Sequence, residues 1–213
     1  MTGDGHAVLV SGADLRELER RWRGTGSVED EATWLQERVE AGDLSAKRVS
    51  LVASLGWPAC RRIANVAMFP GEGRDLSNWL WEVPKVHWSL SLRCAFASAK
   101  LVLDLETNRK RPWRGIAKGV MGDAAHLLAC GEWSYVSRHP VQIPGCSKAF
   151  ELLSEALAKA SKPGQTQACC GVLSECVIRL SASVQEEHKA ERRVRLAIRD
   201  GLAPWLLGYA DPV

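Results

Sequence analysis

Two adjacent cysteines, Cys169 and Cys170, stand just after the stretch "PGQTQA", where a helix is expected to begin. A helix N-terminus carries partial positive charge and favours a thiolate, which is a physical route to a reactive thiol. A cysteine nucleophile also needs a positioned base. His188 is the nearest histidine downstream, about five helical turns away, and is expected on the next helix. Cys169, Cys170 and Cys176 are therefore read as small core residues, free cysteine being among the most buried residue types.

His126 and Cys130 lie four apart on an expected helix, so both side chains fall on one side and could supply half of a tetrahedral metal site. A second ligand pair is missing: His139 and Cys146 flank a Pro-containing loop, and no spacing rule selects them. The expectation is no metal and no other cofactor, with His126 and Cys130 the candidates if one is held. The run "NRKRPWRGIAKG" contains Arg109, Lys110, Arg111, Arg114 and Lys118 with no acid among them and Trp113 in their midst. Cations neutralise phosphates and an indole can stack on a base, so this stretch is the candidate for an anionic or nucleic-acid partner, against the plainer reading of a solvated connector. A second basic cluster, Lys189 to Arg199, is diluted by Glu186, Glu187, Glu191 and Asp200, which suits a solvated, internally paired helix face. No GxSxG, HExxH, P-loop or dinucleotide glycine fingerprint occurs, and Glu29, Asp30 and Glu31 sit where a helix dipole favours carboxylates without any catalytic role. The chain is expected to lack a catalytic centre.

The elements that must position these groups read as helices throughout. Leu15, Leu18 and Trp22 follow Asp14 on one face until Gly24 to Gly26. Ser27 with Asp30 resembles a loose capping box ahead of Val28, Ala32, Leu35 and Val39. Gly42 closes that helix, Asp43 or Ser45 caps the next, and Leu51, Val52 and Leu55 form its core until Gly56, after which Pro58 suits the first turn of a short helix. "PGEGR" at 70 to 74 breaks the chain, and "LSNWLWE" restarts a short helix. A helix of about 20 residues then runs to Leu105, with Leu90, Ala97 and Leu101 on one side and Leu92, Phe96 and Leu103 on an adjoining one, a surface broad enough for more than one neighbour. Ile116, Val120, Ala124 and Leu127 are in phase on a further helix. Three more follow, near 146 to 161, 166 to 184 and 186 to 201, and the apolar tail "PWLLGYADPV" is expected to dock on the body.

No alternating strand pair, hairpin turn or βαβ rhythm appears, so the fold class is all-α: packed antiparallel helical hairpins, as an irregular bundle or a short solenoid-like stack. The 213 residues are read as a single domain, with a possible subdivision into a helical-hairpin subdomain, 1 to 69, and a helical bundle, 75 to 213. With 46% apolar residues the chain can bury a core, and a net charge of +3 is too slight to argue for a nucleic-acid or membrane partner by itself. Seven irregularly spaced cysteines and no cationic, apolar export segment suit a reduced, cytoplasmic protein. Nine tryptophans stand against two tyrosines and three phenylalanines, and indoles commonly anchor cores and interfaces.

Residues 28 to 66, with the turn "AGD" and the step "LGWPACRRI", resemble the paired-helix units of Sel1-like, ankyrin-like and HEAT-like repeats. No second copy at a fixed period follows. The stretch "DLRELERRWRGTGSVEDEATWLQERVEAGDLSAKRVSLVASLGWPACRRI", together with the ending "AIRDGLAPWLLGYADPV", resembles an uncharacterised bacterial all-helical family, and what that resemblance implies is limited to a helical fold. The functional expectation is a non-catalytic protein–protein interaction or adaptor module. Trp79, Trp81 and Trp88 around Pro84, with Trp57 and Trp113, are the partner-binding candidates. Nucleic-acid binding through 109 to 118 is the alternative, and a thiol or metal enzyme the second alternative.

Overall fold

The computed structural model describes residues 12–64, 76–82, 89–105, 113–130, 148–159, 164–184 and 187–209. Among them are ten α-helices and no strand: α1 Gly12–Thr25, α2 Val28–Glu40, α3 Ala46–Ser54, α4 Pro58–Ile63, α5 Leu76–Glu82, α6 Leu90–Leu105, α7 Trp113–Cys130, α8 Lys148–Ala158, α9 Gln165–Val184 and α10 Glu187–Leu207. The fold is all-α. The chain divides into two compact units, Met1–Gly71 and Glu72–Val213.

In the first unit α2 packs on α1 and α4, and α3 on α4. The helix ends follow from local chemistry. Ser27 stands in extended backbone and its Oγ accepts from the amides of Glu29 (3.1 Å) and Asp30 (3.3 Å), satisfying donors that the first turn of α2 would otherwise leave bare. The reciprocal half of a capping box is absent. The Asp30 carboxylate accepts from the Thr25 hydroxyl at 2.7 Å and pairs with Arg21 at 2.9 Å, while the Ser27 amide donates to Thr25 Oγ1. Aspartate is one methylene shorter than the glutamate that closes the box, and nearer partners take its charge.

The C-termini of α2 and α3 use the same device. Gly42 (φ 77°) donates to the Val39 carbonyl and Asp43 to that of Arg38; Gly56 (φ 87°) donates to Ala53 and Trp57 to Val52. These paired bonds form a Schellman motif, whose left-handed position suits a residue without a Cβ. The second motif reverses the chain so that Trp57 becomes the N-cap of α4, with Pro58 in the first helical turn. The core enclosed here includes Leu35, Leu51, Val52 and Cys60, all fully buried, and burial of each leucine is worth about 2 kcal/mol. Trp22 stacks on Trp34 with centroids 4.8 Å apart, and Arg38 lies over the Trp34 ring while its Nε donates to Asp43 at 2.6 Å.

In the second unit α9 is central, packing on α5, α6, α8 and α10, while α6 also meets α7, α8 and α10. Small residues let the helices approach closely. A Cβ at Gly171 of α9 would lie 3.1 Å from Leu152 Cδ1 of α8, and one at Gly201 of α10 would lie 3.2 Å from the Ala97 Cβ of α6. Leu90, Leu92, Phe150, Leu153, Leu173 and Ile198 are among the fully buried side chains.

Three expectations about extent change. Helix α7 turns Trp113, Ala117, Val120, Ala124 and Leu127 inward, whereas Ile116, expected in that stripe, is 43% exposed. Helix α10 continues through Pro204 to Leu207 instead of stopping near 201. Proline has no N–H for the carbonyl four residues back, but Leu202, Leu206 and Leu207 are buried, and their burial holds the helical path. On α6, Phe96, Ala97 and Leu101 are only half-buried, so the broad apolar face is not fully covered by its neighbours.

Candidate functional site

The uncovered part of α6 is one wall of a groove within the second unit. Arg93, Phe96, Ala97, Lys100, Leu101 and Asp104 of α6 face Ala125, Leu128 and Ala129 of α7 and Ala197, Asp200 and Gly201 of α10 around a cavity of about 370 Å³. The α6 positions recur at three- and four-residue steps, so they form one continuous ridge on a helix. Contact between Ala97 and Gly201 lets α6 and α10 meet at the base of the groove.

Arg93 fixes one end. Its guanidinium lies 4.0 Å from the centroid of the Trp205 ring of α10, and its Nη2 donates to the Leu128 carbonyl at 2.8 Å in the last turn of α7. One side chain therefore links all three helices, combining a cation–π contact with a cation at a helix C-terminus, where exposed carbonyls favour positive charge. Toward the other end stand Lys100 and Asp104, both exposed and one turn apart, and neither has an ion-pair partner among the described residues. Asp200 pairs with Arg199 at 2.8 Å. The groove thus has an apolar base and charged rims, a combination that seats the apolar stripe of an amphipathic segment.

The tryptophans singled out from sequence differ in burial. Trp79 is 1% exposed and Trp113 5% exposed; both are core side chains, Trp113 lying against Phe150 with centroids 6.1 Å apart. Trp57 is half-buried, and its Nε1 donates to Oε1 of the buried Glu31 at 2.7 Å, tying α4 to α2. Trp81 is 52% exposed, and Trp88 lies outside the described residues. Of the four that are described, Trp81 is the one that is largely exposed.

Of the basic stretch, Arg109, Lys110 and Arg111 lie outside the described residues. Arg114 donates to the Leu103 carbonyl at 3.3 Å, close to the C-terminus of α6, and Lys118 is exposed on α7. His126 and Cys130 are exposed on α7, and no group of three or more metal-ligating side chains occurs among the described residues; His139 and Cys146 lie outside them. The thiols run opposite to activation by a helix N-terminus. Burial pushes Cys60, Cys94, Cys169 and Cys176 well above the ordinary thiol range, the neighbouring Cys169 and Cys170 adding to the effect at Cys94. Cys169 is wholly buried against the core, where desolvation outweighs the dipole.

The groove's own charged residues were missed at the level of sequence. A signal was present: Arg93, Lys100 and Asp104 fall at helical spacing beside the Leu90, Ala97 and Leu101 side of α6.

No protein-family model, no curated protein and no solved structure matches this chain. The resemblances of residues 28 to 66 and of the two chain ends rest on the quoted residues alone.

Proposed function

We propose that the chain is a non-catalytic helical module that binds a protein partner in the groove between α6, α7 and α10. The observation that carries this reading is the half-buried apolar ridge Phe96, Ala97 and Leu101, left open beside charged rims. An apolar groove with charged rims is a common seat for a helix or peptide segment. The free thiols among the described cysteines suit a reducing compartment, and we assign the protein to the cytoplasm. No helix of the described residues is long and apolar enough to cross a membrane. Nucleic-acid binding through 109 to 118 is the second reading, and the engagement of Arg114 with the α6 terminus leaves it less supported.

Site-specific photocrosslinking separates the two. A photoreactive residue at Ala129, on the groove, should give a discrete protein adduct that nuclease does not alter, while the same residue at Ile178, exposed on α9, should give none. Crosslinks to nucleic acid alone, or equal adducts from both positions, would defeat the proposal.

A further inference from the structure

We propose that the outward face of α7 is an interface with a second copy of this chain, the two α7 helices lying parallel about a two-fold axis. Helix α7 turns Trp113, Ala117, Val120, Ala124 and Leu127 inward. Its opposite side carries Gly115, Gly119, Gly122 and His126, all exposed. These four follow one another at steps of four, three and four, the spacing of the seam positions in a two-stranded coiled coil. A solvated helix face ordinarily carries charged and polar side chains, and glycine is among the poorest residues inside a helix. At Gly171 and Gly201 a neighbouring helix explains the missing side chain, whereas a Cβ at Gly115, Gly119 or Gly122 would meet nothing within 4 Å. A bare face suits the approach of another backbone, because side chains at the contact set the distance between helices and close approach permits Cα–H···O contacts.

The flanking charges select the occupant and its direction. Lys118 is exposed and Asp123 half-buried, and they stand on opposite edges of the glycine face, just before Gly119 and just after Gly122. Neither makes an ion pair with another described residue. Across a parallel seam these two edges face each other, so Lys118 of one copy meets the partner's Asp123, and two-fold symmetry makes the contact twice. An antiparallel pair would place like edge on like edge, lysine beside lysine and aspartate beside aspartate. The parallel pairing also shelters Ile116, which is 43% exposed and lies one heptad before Asp123 on the same edge. From Gly115 to His126 the seam runs roughly 16 Å at helical rise, a length that suits reversible association. The next seam step, Ala129, lines the groove, so the test uses Gly119, Gly122 and the two charges.

The experiment is sedimentation velocity of the full chain from micromolar to millimolar concentration. Wild type is expected to pass from monomer to dimer as concentration rises. Lys118→Asp and Asp123→Lys each set like charges across both symmetry-related contacts and should weaken the dimer roughly tenfold, while the double swap Lys118→Asp/Asp123→Lys should return it to within about threefold of wild type. Gly119→Gln/Gly122→Gln fills the seam and should leave a monomer that unfolds at no lower temperature than wild type, since glutamine is the better helix former and enters open space. A wild-type chain that stays monomeric throughout, a dimer that survives Gly119→Gln/Gly122→Gln, single charge reversals without effect, or a double swap no better than the singles would each overturn the proposal.

Discussion

The hydrogen bond from Trp57 to Glu31 is the point at which α4 is locked to α2, and its removal has a calculable effect. Replacing Trp57 by Phe keeps a ring but deletes the donor, leaving a carboxylate that is only 8% exposed without its 2.7 Å partner. A hydrogen bond to a charged group is worth about 1.5–3 kcal/mol. Local opening of α2 and α4 should therefore become roughly 10- to 150-fold more frequent. Hydrogen exchange by mass spectrometry on the full chain reads this directly as lost protection across Val28–Glu40 and Pro58–Ile63, with the helices of Glu72–Val213 serving as an internal control. Unchanged protection in Trp57→Phe would show that this bond does not hold α4 to α2.

The other predictions concern packing, thiols and the groove end. Gly201→Val should cost about 1–3 kcal/mol in urea unfolding, because its Cβ already meets Ala97 at 3.2 Å and the extra methyls must force α6 and α10 apart. Arg93→Met should cost about 2 kcal/mol, and Arg93→Lys should recover little of it, since an ammonium lacks the planar fork that both covers Trp205 and reaches Leu128. The buried thiols give a pH signature: their folded-state pKa values lie above the unfolded ones, so their contribution is complete below about pH 8.5 and is lost as pH rises beyond it. Each should add about 1.4 kcal/mol of lost stability per pH unit above that point, so the slope for Cys176→Ala should be shallower by about that amount. At neutral pH, alkylation of the folded protein should modify Cys130 and leave Cys60, Cys94, Cys169 and Cys176 intact; rapid labelling of Cys169 would contradict its burial.

What the chain discloses by itself is local. Ser27, Gly42, Gly56 and Pro58 mark helix ends because capping and left-handed backbone are decided within a few residues, and all four take those places. Periodicity places the core of α3 correctly for the same reason. Position 116 fails because a helical stripe has a width, and tertiary contacts choose which edge of it is covered: α7 turns Trp113 inward and leaves Ile116 in water. Pro204 misleads because a local penalty is outweighed by buried leucines on both sides of it. The groove is less legible still, since Arg93, Leu128 and Trp205 are far apart in sequence and come together only when three helices pack. The indoles drew attention by their number, but Trp79 and Trp113 are core, and the apolar ridge of the groove is made of Phe96, Ala97 and Leu101.

Binding at this ridge is read from the affinity of a helical peptide, selected by display against the full chain, for three forms of that chain by fluorescence anisotropy. Ala129→Trp is expected to abolish binding, while Ile178→Trp, on the exposed side of α9, leaves it within about twofold of wild type. Equal affinity for all three chains, or loss with Ile178→Trp alone, would contradict it.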